Sequence, residues 1–475
     1  MGVGENSTVE EKSTAEDVKA SKGKQIFCAL SATLAGVTLG TVTGFTSPAG
    51  PKLLNPDNPA DGDLRLSELQ YDFFSSCITL AGAFGVLLFG YFLNKWGRKI
   101  SLLVTAASVF LGFVMIAAGP NFPVLMVGRI INGIGQGGAI VTVPAYIGEI
   151  ATPDIRGTLA CCFSVMINVG NLWAFVFGAI IPSWRWFAGV NAIPSVLCFV
   201  CVIFIKESPQ FLLLKKRPKE ARKTLQYFRG DSYDVSHEFE EMEKFVEELK
   251  ENHSSLRDLL LPYNFKPAVI CLTILFLDQA TGIMPLLLNL QSIFMEASAS
   301  VSDDLSSIIT GIVQCVSSVI SVFIIDRVGR KPLLIVSSSA MCLSLVALGN
   351  YFYLKEEDAE WTRSTLGWLP LTCLMLFMSG MNGGFFPVIY TLMGELLTPE
   401  VRDIVGSVSV MLSSVSGFVF SITFHPMQDA MGMYGVYWFY GIMCFVALLF
   451  CVVFVPETKG KTTQDIARHF GNPAA

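Results

Sequence analysis

Charged residues are scarce in this sequence. They make up 15% of the 475 residues, whereas hydrophobic residues make up 52%. Soluble domains carry about 25% charged residues. The mean hydropathy is +0.54, and many apolar runs reach about 18 residues or more, which is long enough to cross a bilayer as a helix. The composition therefore excludes an ordinary soluble protein and predicts an all-α membrane protein. The mild net charge of −6 gives no reason to expect a nucleic-acid partner.

Residues that could hold a metal or a redox cofactor are few or poorly arranged. Only four histidines occur, and they are scattered along the sequence: His237, His253, His425 and His469. The twelve cysteines lie in or beside apolar runs, and Cys198 and Cys201, although spaced as Cys-x-x-Cys, have no second pair. We expect these thiols to pack as small apolar side chains. The sequence predicts no metal site and no cofactor.

Twelve apolar runs have the length of membrane spans. They cover about residues 25–47, 69–93, 101–119, 124–148, 157–181, 185–205, 266–296, 305–325, 332–354, 367–394, 404–424 and 434–455. Lys and Arg concentrate in the loops on one side, so the positive-inside rule places both termini in the cytoplasm. The polar N-terminus lacks the apolar core of a cleavable signal peptide, and we expect the first span to act as signal anchor. These features predict a multi-pass membrane protein.

The longest polar stretch divides the spans six and six. The predicted organisation is a cytoplasmic tail, a six-helix half, an intracellular linker, a second six-helix half and a second cytoplasmic tail, at residues 1–24, 25–205, 206–265, 266–455 and 456–475. Within the linker, Pro218 begins a helical pattern that places Leu225 and Phe228 on one face. A second pattern places Phe239, Met242, Val246 and Leu249 at helical spacing. We expect two or three short amphipathic helices there.

Three pairs of short motifs recur in the same order in the two halves. They are NKWGRK (94–99) with DRVGRK (326–331), GEIATPDIRG (148–157) with GELLTPEVRD (394–403), and KESP (206–209) with PETKG (456–460). Such agreement indicates two parallel repeats. Membrane transporters built from repeats rock one half against the other around a site near the middle of the bilayer. The sequence therefore predicts a rocking transporter.

The repeated motifs also place acids and arginines at the cytoplasmic ends of the spans. These residues are Arg98, Glu149, Arg156, Glu207, Arg330, Glu395, Arg402 and Glu457. Ion pairs among them would hold the cytoplasmic side shut and break when that side opens. The alternative is ordinary loop charge that obeys the positive-inside rule. The repeated spacing from Glu149 to Arg156 and from Glu395 to Arg402 favours the gating interpretation.

Several of these stretches carry a resemblance to one family. They are GRIINGIGQGG (128–138), PAYIGEIATPDIRG (144–157), DRVGRKPL (326–333) and PETKG (456–460). They resemble signatures of the sugar porters of the major facilitator superfamily, and the resemblance covers essentially the whole chain. Residues 44–53 and 156–172 resemble the branch of insect trehalose transporters and vertebrate glucose facilitators. The resemblance implies twelve helices in two six-helix halves and a sugar as the carried solute.

The seventh span departs from the sugar-binding stretch of that family, which reads Gln-Gln-x-Ser-Gly-x-Asn. Here Asp278 stands for the first glutamine, Gln279 and Gly282 are kept, and Thr281 stands for the serine. The aromatic pair that follows in the family has become leucine and Asn289. The resemblance therefore implies that this stretch binds the solute. Its departures from the family sequence argue against ordinary hexose selectivity. A break in the helix is expected at the glycine and at the proline three residues on.

Other spans offer further neutral side chains. By the resemblance, Gln314 aligns with an eighth-span asparagine, Tyr390 with a tenth-span tryptophan, Ser413 with an eleventh-span asparagine, and Ser164 with a fifth-span glutamine. Asn168 adds an amide one turn after Ser164. A sugar site needs such neutral donors and acceptors beside an apolar or aromatic wall. The serines could instead bond their own backbone, and Asn168 could hold helices together.

An acid near the middle of a span is a functional hypothesis by default, because a charge there is costly. Asp278 could accept hydrogen bonds from sugar hydroxyls, carry a proton or pair with a cation. Arg129 is the basic residue deepest in a span, and direct pairing with Asp278 is uncertain. In proton-coupled sugar porters the first span carries an aspartate near that arginine, whereas this first span has no acid. This favours facilitated diffusion.

The leading prediction is a facilitative carrier of a trehalose- or hexose-like sugar, not an enzyme, working as a monomer in a lipid bilayer. A proton-coupled symporter that uses Asp278 is an alternative, as is a carrier for a non-sugar solute. A transport-silent sugar sensor on the same scaffold is a further alternative. Its expected long cytoplasmic tail has no counterpart here, since the sequence after Glu457 is short.

Overall fold

The computed structural model describes residues 21–54, 64–251, 261–297, 301–397, 399–461, 468 and 470. Twelve helices in these ranges are long and apolar enough to cross a membrane. Spans 1 to 12 are, in order, Gly23–Leu54, Glu68–Trp96, Arg98–Ala118, Phe122–Ile150, Pro153–Ile180, Trp184–Phe204, Tyr263–Leu288, Asp303–Ile325, Arg330–Glu357, Leu369–Leu396, Ile404–Ile422 and Phe424–Phe454. The predicted all-α membrane fold is confirmed. Large parts of the two tails, and the side chain of Leu249, lie outside what is described.

Three helices lie between spans 6 and 7, as the amphipathic patterns predicted. They are Pro209–Leu214, Pro218–Arg229 and Ser236–Glu251. Leu225 and Phe228 are fully buried. Val246 packs with Leu212, Leu213 and Ala221, and the partly buried Phe239 and Met242 rest against that group. The end of the bundle that carries these helices is called the linker end below, and the opposite end is called the far end.

Four spans are interrupted. Span 7 breaks between Pro262–Ala280 and Ile283–Leu288, with Gly282 left-handed at φ 85° and ψ 16°, which confirms the predicted break. Span 6 breaks at Ala192, span 10 contains a π-helix over Met381–Phe385, and span 12 kinks at Gly432 with φ 71°. Broken helices in membrane proteins occur where the freed backbone lies against protein or a cavity. A third short helix, Leu290–Ala297, continues span 7 toward the far end.

Spans 1 and 5 approach each other closely because both present glycine. A Cβ on Gly40 would lie 2.0 Å from the carbonyl oxygen of Ile167, and one on Gly170 would lie 2.2 Å from that of Val37. Both distances are far inside van der Waals contact. The first half therefore depends on small residues at this helix crossing, as membrane bundles commonly do.

Candidate functional site

An ion pair and a backbone-binding carboxylate close the linker end of the first half. Arg98 donates from Nη2 and Nε to Glu149 Oε1, at 2.5 and 2.9 Å. Glu207 accepts from the backbone N–H of Arg98 at 2.9 Å and from that of Lys99 at 3.2 Å. A Cβ on Gly97 would lie 2.4 Å from Glu207 Oε2, and Gly97 has φ +95°. Burial raises the pKa of the Glu207 carboxyl above its ordinary value.

The second half repeats this arrangement residue for residue. Arg330 donates from Nη2 to Glu395 Oε1 at 2.9 Å, and Glu457 accepts from the backbone N–H groups of Arg330 and Lys331, each at 3.1 Å. The matching turn glycine, Gly329, has φ +104°. The three motif pairs read from the sequence therefore correspond to one structural unit used twice.

Both ion pairs join helices of the same half. Glu149 pairs with Arg98, whereas Arg156, seven residues after Glu149, donates instead to the carbonyl of Ala151 at 3.3 Å. The side chain of Arg402 lies outside the described residues. The predicted gating role of these charges is untested, but their arrangement favours bracing of each half.

A set of polar side chains meets where the two halves touch in the middle of the bundle. This boundary amide cluster consists of Asn168, Asn171, Gln314, Ser318 and Asn382. Asn168 donates from Nδ2 to Ser318 Oγ at 2.5 Å and to Asn382 Oδ1 at 3.0 Å. Asn171 donates to Gln314 Oε1 at 3.4 Å. The cluster joins span 5 of the first half to spans 8 and 10 of the second.

Span 7 and the residue that follows it carry polar side chains on both sides of the break at Gly282. Asp278 is 2% exposed, and its Oδ2 accepts from Gln279 Nε2 at 2.7 Å. Thr281 donates to the carbonyl of Asp278 at 2.6 Å, so its hydroxyl is occupied by its own helix. Asn289 donates to the carbonyl of Pro285 at 3.1 Å. Gln279 faces span 11, since a Cβ on Gly417 would lie 2.8 Å from its Oε1.

Three further residues predicted to bind the solute lie on spans 10, 11 and 5. Tyr390 lies edge-on to Phe386 with ring centroids 5.0 Å apart, and it is close enough to Asp278 for the two groups to interact electrostatically. Ser413 is buried in span 11. Ser164 is half-buried, and its carbonyl accepts from Asn168 at 3.4 Å.

Several of these buried side chains keep a polar atom without a hydrogen-bond partner. On span 7, just after it and on span 8, these atoms are Asp278 Oδ1, Gln279 Oε1, Asn289 Oδ1 and Gln314 Nε2. Buried polar groups in native proteins are nearly always paired with protein or water. Such atoms on spans 7 and 8 are therefore available to a polar solute or to water. They include both acceptors and a donor, which matches the hydroxyl groups of a sugar.

Arg129 is fully buried but does not reach span 7. It donates to the carbonyl oxygens of Phe74 at 3.2 Å and Val42 at 3.1 Å, and to the hydroxyl of Thr46. Its guanidinium carbon also lies 4.7 Å from the centroid of the Phe74 ring. The guanidinium thus ties spans 1, 2 and 4 together through neutral acceptors.

Sequence reasoning missed two members of the boundary amide cluster, Ser318 and Asn382. Asn382 lies in the π-helix of span 10, where it is followed by two glycines. π-helical turns in α-helices often mark functional sites. The sequence signal that could have identified Asn382 is an amide followed by two glycines in the middle of an apolar span.

The two halves also touch at the far end. The backbone N–H of Gln291 donates to Ser47 Oγ at 2.9 Å, which joins span 1 to the extension of span 7. Asp72 of span 2 contacts His425 at the start of span 12. Contacts between the halves are therefore found in the middle of the bundle and at the far end.

Comparison with known proteins gives a consistent result. The profile of a family described as "Sugar (and other) transporter" matches residues 12–470. Facilitated trehalose transporters of Drosophila willistoni and Culex quinquefasciatus are 33% and 32% identical, each over 446 residues and 94% of this chain. The matched part is 51% of the first relative and 85% of the second. The chain thus spans about half the length of the Drosophila relatives.

Solved structures with the same fold include two states of the xylose transporter XylE from E. coli. The partially occluded inward-open and the inward-open forms both align with a TM-score of 0.76 at 24% identity. They cover 92% and 93% of this chain, and 99% and 98% of their own. At this identity the likeness establishes the fold, which is that of the major facilitator superfamily.

Proposed function

The chain belongs to the sugar (and other) transporter family, and from this premise we propose that it is a facilitative carrier of a trehalose- or hexose-like sugar. Sugar would bind where span 7 and the boundary amide cluster meet the interface of the two halves. The halves would then rock about that site, as expected for transporters built from repeats. Curated relatives are named as facilitated trehalose transporters, which supports a sugar as the solute.

The proposal rests mainly on the unpaired buried atoms of spans 7 and 8. Gln279 Oε1 and Gln314 Nε2 lack partners although both side chains are buried. A neutral polyol supplies a donor to the first and an acceptor to the second. No covalent chemistry is required of these residues.

The test is saturable uptake by the purified protein in liposomes, with trehalose and several hexoses as competitors. Gln279→Leu is expected to raise the KM of the preferred sugar roughly ten-fold, since a lost hydrogen bond to a buried partner costs about 1–3 kcal/mol. Asn132→Leu is the matched control, because Asn132 is also a buried amide without a partner but lies against Gly112 of span 3. Equal effects of the two substitutions would contradict the proposed site. Binding without uptake would favour a sensor. Failure of every tested sugar to compete for uptake would favour a carrier of another solute.

Passive transport is supported by the environment of Arg129. Its donors are satisfied by two carbonyls and a hydroxyl, and the first span supplies no carboxylate there. Asp278, by contrast, has an unpaired oxygen and remains available to carry a proton. The structural relatives include a proton:xylose symporter, so the two mechanisms must be separated by measurement. Accumulation against a gradient, driven by protons and lost in Asp278→Asn, would establish symport instead.

We place the linker end in the cytoplasm of a plasma-membrane protein, with both termini on that side, because Lys and Arg concentrate there. Contacts between the halves at the far end are those expected of an inward-facing carrier. A glycosylation sequon inserted between residues 55 and 63, in the sequence between spans 1 and 2, should acquire a glycan in cells. One inserted between residues 230 and 235 of the linker should remain unmodified.

A further inference from the structure

One contact between the halves lies outside the proposed sugar site. His425 Nδ1 and Asp72 Oδ1 are 2.5 Å apart, although the two residues are 353 positions apart in the sequence. The side chain of Asp72 is 6% exposed and that of His425 is 27% exposed. Because one residue belongs to span 2 and the other to span 12, the contact requires the far end to be closed.

Other charged groups face this imidazole from three elements. Glu68 precedes Asp72 on span 2, and Asp429 follows His425 on span 12. Glu296 approaches from the helix Leu290–Ala297. Its carboxylate accepts from Gln428 at 3.2 Å, and Lys355 donates to its backbone carbonyl. The imidazole therefore lies among four carboxylates, one of which, Glu296, also interacts with Lys355.

The contact changes character with the charge on the imidazole. A protonated ring forms an ion pair with Asp72 and is attracted by the other acids, whereas a neutral ring gives the buried carboxylate one hydrogen bond from an uncharged donor and no compensating charge. Histidine is the side chain that changes charge between pH 5 and 8. The strength of the contact should therefore increase on acidification within that range.

We propose that Asp72 and His425 form a proton-sensitive latch that holds the far end closed. This inference rests on the proposed carrier function, in which the far end must open to the outside in each cycle. Opening separates span 2 from span 12 and breaks the pair. Acidification on the outer side therefore slows opening and shifts the carrier toward the inward-facing state.

The test measures the opening directly and needs no sugar. Spin-label amino acids replace the exposed residues Leu69 and Trp361, which lie at the far end on opposite halves. Distances between the labels are measured in lipid nanodiscs at several pH values. The fraction of open far ends is expected to rise about five-fold or more between pH 5 and pH 8, the size of a typical coupling between a bound ligand and a conformational change.

Substitutions isolate the pair. His425→Gln should abolish the pH response, and His425→Lys should keep the far end closed at both pH values because its charge persists. The exchanged pair, Asp72→His with His425→Asp, should restore the response. His237→Gln is the control, since His237 is an exposed histidine of the linker beside Glu241.

A distance distribution that does not change with pH, or a pH response that survives His425→Gln, overturns the latch. Failure of sugar uptake is a separate result. A pH-dependent far end in a protein that carries no tested sugar would sustain the latch and reject the proposed sugar.

Discussion

Arg98 and Glu149 form an ion pair within the first half, and Arg330 and Glu395 form the same pair within the second. The nitrogen–oxygen distances are 2.5 and 2.9 Å. Each arginine follows a glycine with positive φ, and each has its own backbone N–H bound by a further glutamate, Glu207 or Glu457. The repeated unit therefore ties the helices of each half together at the linker end.

The two pairs differ in burial, and their removal should differ accordingly. The glutamate side chains are 10% exposed at Glu149 and 28% at Glu395. Breaking a buried pair leaves an uncompensated charge and costs about 3–5 kcal/mol, whereas exposed pairs contribute about 1 kcal/mol or less. Arg98→Met should therefore lower the melting temperature in detergent more than Arg330→Met. The double variant Arg98→Met with Glu149→Met should recover much of the loss, and equal losses in single and double variants would contradict this account.

The crossing of spans 1 and 5 gives a second prediction. Gly40→Ala should prevent folding or delivery to the membrane, because the added Cβ would lie 2.0 Å from a backbone carbonyl that cannot move alone. Gly90→Ala in span 2 is the control, since nothing lies within 4 Å of its Cβ. The control should be neutral or stabilising by up to about 1 kcal/mol, the helix preference of alanine over glycine. Surface expression and size-exclusion profiles measure both, and a well-folded Gly40→Ala protein would be inconsistent with this packing.

The sequence predicted the spans, the repeat and the break at Gly282 because each depends on local composition. Hydropathy sets where a helix can cross lipid, and glycine with a nearby proline weakens a helix wherever it occurs. The sequence did not predict the partner of Glu149, since the spacing along one turn does not reveal which neighbouring helix supplies the arginine. The contact of Asp72 with His425 was equally hidden, because it depends on how two halves meet. The π-helix of span 10 depends on packing as well.

The break in span 7 should be required for transport. Gly282 has φ +85°, and a Cβ there would lie 2.7 Å from the ring of Tyr440. Gly282→Ala should therefore abolish uptake. Combining it with Tyr440→Ala separates the two causes, because alanine lacks the ring atoms that the added Cβ would meet, which relieves the clash but not the strained backbone. Uptake restored in the double variant would assign the defect to the clash, whereas persistent loss would assign it to the left-handed conformation. Normal uptake by Gly282→Ala alone would show that the break is dispensable.

The linker helices should move with the first half. Gln25 of span 1 donates to the carbonyl of Phe228 at 3.1 Å and accepts from the backbone N–H of Thr152 at 2.9 Å. Arg229 donates to the carbonyl of Ile150 at 2.9 Å while paired with Glu238. Arg229→Ala should expose the helix Pro218–Arg229, detected as faster amide hydrogen exchange there. Arg222→Ala is the control, since Arg222 donates to Ser236 in a solvent-exposed hydrogen bond within the linker. Exchange raised equally by both substitutions would argue against docking on the first half.

Asn382 should help to set the balance between inward- and outward-facing states. Its Oδ1 accepts from Asn168 of the opposite half at 3.0 Å, and its Nδ2 donates to Met378 within its own span. A hydrogen bond contributes about 1 kcal/mol, which corresponds to a shift of about five-fold between two states. Asn382→Leu removes one of the hydrogen bonds between the halves, so the apparent affinity for sugar should rise on the outer face and fall on the inner face. Asn350→Leu is the matched control, because Asn350 accepts from Trp438 inside the second half alone. Influx and efflux measured in oriented liposomes report the two affinities separately. If Asn382→Leu lowered the apparent affinity for sugar equally on both faces, the result would indicate that the Asn382 amide binds the solute and does not set the balance between the two states.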